Sequence, residues 1–97
     1  MIDALTIAGS ALTAQATNVS VIANNVANAV TPGYTAQQAQ FVAMSPGVSV
    51  GAIVDTGQSV DLANEMVNLI TAKAAYEAAL NVVTTTQQMS NTLLAAV

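Results

Sequence analysis

The chain has 97 residues, 54% of them hydrophobic and only 6% charged, and its five acids against one base give a formal charge of −4. With neither Cys nor His, it has no disulfide, thiolate nucleophile, Cys/His zinc site or imidazole base. Its acidic balance also lacks the basic footprint that a nucleic-acid partner requires.

A free protein surface is normally about one quarter charged. Here Ala, Thr, Asn, Gln and Ser take that place, the pattern of a subunit covered largely by neighbours. The length allows one domain, and a chain this short buries a modest share of its surface unaided. The start, MIDALTIAGSALTAQ, carries Asp3 instead of a basic patch and has no compact apolar core. Any export is therefore expected to proceed without a cleaved signal peptide. The apolar run 47–54 is too short to span a bilayer, so no transmembrane insertion is expected.

Residues 1–30 read as the first helix. Leu5, Leu12, Val19 and Val26 recur at a near-heptad spacing, with Ala8, Ala16, Ile22 and Ala29 as a second row. Asp3 favours the first turn. Gly9 weakens the helix and suggests a point of close backbone approach. Pro32 and Gly33 form the stop and turn.

Residues 31–59 read as a turn and a short β-like connector. Val48–Val54 is the expected strand, and Thr35–Met44 its antiparallel mate. A lone hairpin is marginal, so it needs packing against a helix or a neighbour. Residues 60–97 read as the second helix, capped by Ser59 or Asp61. Leu62, Met66, Leu69, Tyr76, Leu80 and Val83 form its apolar stripe, with Lys73 in the same row. Thr86 is expected on a less apolar face. The fold class is mainly α: two long terminal helices in an antiparallel, coiled-coil-like hairpin around a short β-like link.

Catalysis finds little support. Asp61 and Glu65 stand four residues apart, close to Asp55, but carboxylates are expected at a helix start. No base, nucleophile or glycine cradle accompanies them. The chain reads as a non-enzyme with no catalytic, cofactor-binding or metal residues.

Two blocks carry a family resemblance. NNVANAVTPGY, residues 24–34, resembles the N-terminal signature of flagellar rod and hook axial proteins. VDLANEMVNLITAKAAYEAALNVVTTTQQMSNTLL, residues 60–94, is similar to their C-terminal helix, notably at Glu65-Met66, Leu69-Ile70, Ala75-Tyr76-Glu77-Ala78 and Met89. The sequence departs from that pattern at Val30, Ala74 and Ala79, each standing where the family usually carries a polar or basic residue. About 25 residues separate the blocks, resembling a minimal proximal-rod-like subunit.

The resemblance implies a structural subunit of the basal-body rod, exported by the flagellar type III apparatus and assembled helically with itself and other rod proteins. It also implies a periplasmic position in the basal body and a part in motility and torque transmission. The expected assembly interface comprises Leu5, Leu12, Val19, Asn24, Asn25, Val26, Asn28, Leu62, Met66, Leu69, Tyr76, Leu80 and Val83. At least one of the three amides is expected to bond a neighbouring subunit. A non-flagellar helical-bundle adaptor, or a diverged axial-like assembly protein, is the competing reading.

Overall fold

The computed structural model describes residues 2–96. Helix α1 spans Ile2–Ala27, strands β1 and β2 span Gln37–Met44 and Gly47–Asp55, and helix α2 spans Leu62–Ala96. The body is long and thin, 62 × 23 × 14 Å. Helix α1 lies at its centre, with α2 packed on it and the hairpin docked on it separately. That arrangement provides the support that an isolated hairpin lacks.

Helix α1 ends before its proline. The Asn28 amide N–H reaches both Asn24 O and Asn25 O, and Ala29 N–H donates to Val26 O, tightening the last turn. Residues 28–30, expected as helix, form a turn. Thr31-Pro32-Gly33-Tyr34 then reverses the chain through a Tyr34 N–H to Thr31 O bond of 3.2 Å. Pro32 fits the second position of this turn, and Gly33, with φ +79°, fits the third as in a type II turn.

The two strands form the expected antiparallel hairpin, from Gln37 opposite Asp55 to Met44 opposite Gly47. Gln40 faces Ala52 while Phe41 faces Val50, leaving Gly51 as the extra residue of a bulge. A Cβ on Gly51 would lie 2.7 Å from Val42 Cγ1. The tip meets α1 at Ser10, whose hydroxyl accepts from Val48 N–H at 3.1 Å and donates to Ile7 O at 2.7 Å.

The helix pair departs from the expected coiled-coil seam. The buried positions of α2 are Glu65, Ala72, Ala79 and Thr86, a strict seven-residue repeat of mostly small side chains. Helix α1 buries Ala8, Ala14, Val21, Ile22 and Asn25, of which Ala14 and Val21 border the hairpin. Leu62, Met66 and Leu80 remain about half exposed at 50%, 51% and 45%. Small residues let the helix axes approach closely, which forces the large row onto the flank. Thr86 therefore sits in the seam, contrary to the expected less apolar face. Gly9 is no point of close approach either, since a Cβ there would meet nothing within 4 Å.

Helix α2 begins with an Asp61 cap, whose Oδ1 accepts Asn64 N–H at 3.2 Å. The threonine run stays helical, with Thr84 Oγ1 donating to Leu80 O at 3.1 Å. Lys73 and Glu77, four residues apart, form an ion pair at 4.0 Å, but both are mostly exposed, so it contributes little.

Candidate assembly surfaces

Asn25 is the most buried polar side chain, 1% exposed. Its Nδ2 donates to Gln37 O at 2.8 Å and Glu65 Oε1 at 3.1 Å. Its Oδ1 accepts from Gln37 N–H at 2.8 Å and Tyr34 hydroxyl at 3.0 Å. An amide offers two donors and two acceptor sites, so Asn25 is fully used inside the chain. It joins α1, the turn, the first residue of β1 and the first turns of α2. The type II turn supplies the geometry by bringing Tyr34 and Gln37 back to α1.

Asn24 and Asn28 behave differently. Asn28 Nδ2 donates to Asn24 O at 2.9 Å and Asn24 Oδ1 at 3.1 Å, and its own Oδ1 accepts from Thr31 Oγ1 at 3.2 Å. These bonds are exposed and local to the helix end. The three amides thus divide between one tertiary junction and one helix terminus.

The structure scatters the expected apolar row by depth. Leu12, Val19, Leu69 and Val83 are partly covered. Leu5, Val26 and Tyr76 are each 37% exposed, and Leu62, Met66 and Leu80 more so. Val67, Ile70, Val82, Met89, Leu93 and Leu94 add to this exposed apolar surface. Helix α2 is nine residues longer than α1, an excess of about 13 Å. Pairing at the Asn25–Glu65 end leaves the Leu93-Leu94 end of α2 without α1 beneath it.

Of the family departures, Val30 is 91% exposed and Ala74 is also exposed. Ala79 lies in the seam, where a small side chain suits the close helix contact.

A groove of about 520 Å³ runs between the hairpin base and α2, with α1 as its floor. Gln15 and Asn18 line the floor, and Asn64, Glu65, Asn68 and Thr71 line the α2 wall. Glu65 Oε2 and Gln15 Oε1 are buried without a hydrogen-bond partner. In the sequence Glu65 reads as a helix-start carboxylate and as part of the family-like Glu65-Met66 step, with no sign of its burial. The signal that marks it is the heptad Glu65-Ala72-Ala79-Thr86. Ser10 and Gln15 carry no comparable signal.

Asp55 lies at the hairpin base. The Thr35 hydroxyl, donating to Oδ1 at 2.6 Å, chiefly holds its carboxyl below the usual carboxylate range, with help from Gly57 N–H at 2.8 Å. This bonding turns the chain from β2 toward α2. Among the described residues, no group of three or more acidic, His or Cys side chains could hold a metal ion. No helix there is long and apolar enough to cross a membrane.

The family described as "Flagella basal body rod protein" matches residues 5–35. "Flagellar basal body rod FlgEFG protein C-terminal" matches residues 56–96. No individual curated protein matches the chain significantly. The first match takes in α1 from Leu5 onward and its type II turn, and the second takes in α2 from before its cap, so the matched blocks fall on the two halves of the helix pair. The chain belongs to the flagellar basal-body rod and hook family of structural proteins.

Proposed function

We propose that this chain is a minimal, proximal-rod-like subunit that polymerises helically through its terminal helices. The rod so formed transmits torque and contributes to motility. The subunit leaves the cytoplasm by the flagellar type III apparatus and occupies the periplasmic rod beside other rod proteins.

One observation carries the assembly reading. The buried hydrophobic residues are mostly alanines, while Leu62, Met66, Ile70, Leu80, Leu93 and Leu94 remain outside the intrachain seam. Covering one such Leu fully is worth about 1.5–3 kcal/mol. Exposed apolar area on this scale marks an interaction surface, and its extension along α2 suits a lengthwise contact between subunits.

The test is light scattering of purified protein across concentration, with electron microscopy of the scattering species. Open-ended growth above a critical concentration into tubes or rods supports the reading. A monodisperse monomer or small closed oligomer at every concentration favours the helical-bundle adaptor instead.

A further inference from the structure

Over residues 62–80 the two flanks of α2 differ in chemistry, whereas farther along the exposed Val82, Met89 and Leu93 lie on the Thr71 side. Taking buried Ala72 as the seam, Lys73 lies about 100° to one side and Thr71 about 100° to the other. Leu62, Met66 and Leu80 fall within about 40° of one another on the Lys73 side. Asn64 and Asn68 fall with Thr71 on the side that walls the groove. One flank is therefore apolar and carries the chain's only base. The other borders a polar groove that contains Asp61 and Glu65 and no base.

The groove is chemically incomplete in the single chain. Glu65 is 6% exposed, and Asn25 satisfies only its Oε1. Its Oε2 has no partner, and neither does Gln15 Oε1 in the same groove. A buried carboxylate oxygen without a donor is strongly unfavourable. Lys73 holds only the 4.0 Å contact with Glu77, and its side chain is 75% exposed.

We infer that the Lys73 flank of one copy docks over the groove of a second copy and delivers its ammonium to the Glu65 carboxylate. The inference rests on the polymerising reading above and specifies its contact. An ammonium brings three donors to a site that lacks them, and the flanking Leu62, Met66 and Leu80 become covered in the same step. The two surfaces are different and lie on opposite sides of the seam. The contact is therefore heterologous, and repetition yields an open helical array instead of a closed dimer.

The chain's single lysine makes the test specific. A carbodiimide joins an amine to a carboxylate in direct contact, so assembled wild-type protein should give a dimer band containing Lys73 linked to Glu65 or Asp61. Critical concentrations are then measured for Glu65→Gln, Lys73→Met and the double variant. Glu65→Gln keeps an acceptor for Asn25, and unchanged circular dichroism of each monomer confirms folding. Each single change should raise the critical concentration about tenfold, and the double variant should be no worse than either. Wild-type polymers whose Lys73 links only to Glu77, or fully additive losses, overturn the Lys73–Glu65 contact while leaving polymerisation intact. Absence of any wild-type polymer overturns the underlying reading and this contact together.

Discussion

Asn25 Nδ2 and Glu65 Oε1 meet at 3.1 Å, linking the last turns of α1 to the first turns of α2. The same amide bonds both the N–H and the C=O of Gln37, as a neighbouring strand would. One side chain therefore fixes the registry of both helices and the departure point of the hairpin.

Asn25→Ala removes all of those bonds and strands Gln37, Tyr34 and Glu65 inside the junction. It should destabilise the monomer by about 3 kcal/mol, read from urea unfolding by circular dichroism. Asn25→Asp, nearly the same shape, should be worse because it replaces a donor with a second buried carboxylate facing Glu65. Asn24→Ala should cost less than about 1 kcal/mol. Equal stability of Asn25→Asp and wild type would contradict the junction.

Several features were legible in the sequence because they are local. Pro32-Gly33 announces a turn through φ preferences, and 48–54 announces a strand through β-branched residues between glycines. The phase of the helix seam was not legible. Large and small apolar residues both recur every seven positions on α2, so periodicity fixes the repeat but not which row faces α1. Ranking by size selects Leu62-Met66-Leu80, whereas close helix approach selects Ala72-Ala79. The role of Asn25 was equally hidden, because its partners at 34, 37 and 65 converge only through the 31–34 turn, the hairpin and the return from β2 to α2.

The Leu80 and Thr86 pair separates seam from flank. Leu80→Asp should leave monomer stability within about 0.5 kcal/mol of wild type while abolishing polymer growth. Thr86→Asp buries an unpaired charge and should destabilise the monomer itself by about 3 kcal/mol or more. Thermal melts and pelleting assays on both variants distinguish the two. A destabilised Leu80→Asp monomer with a stable Thr86→Asp monomer would reverse the assignment.

Gly47 combines φ +111° with a position where a Cβ would overlap Ser10 Oγ. Gly47→Ala should therefore lift the hairpin tip from α1 at a cost of about 2 kcal/mol. Hydrogen exchange should accelerate at Val48, whose N–H bonds Ser10, while α2 stays protected. Unchanged protection at Val48 would show that the tip is not held there.

The Thr35–Asp55 bond predicts a pH response at the hairpin base. The Asp55 carboxyl titrates below its ordinary value, so its stabilising contribution is complete above the unfolded-state pKa. It is lost as pH falls through the lowered folded-state pKa. Thr35→Ala should raise the Asp55 pKa toward that of a free carboxylate, as followed by side-chain carboxyl NMR. An unchanged titration in the variant would remove Thr35 as the main cause.

The most direct measurement is a three-dimensional map of the assembled polymer at side-chain detail. Leu62, Met66 and Leu80 of each copy should lie covered by a neighbouring copy, with the Ala72–Ala79 seam preserved inside each subunit. A polymer in which those three side chains face solvent or an open lumen would contradict assembly through the terminal helices.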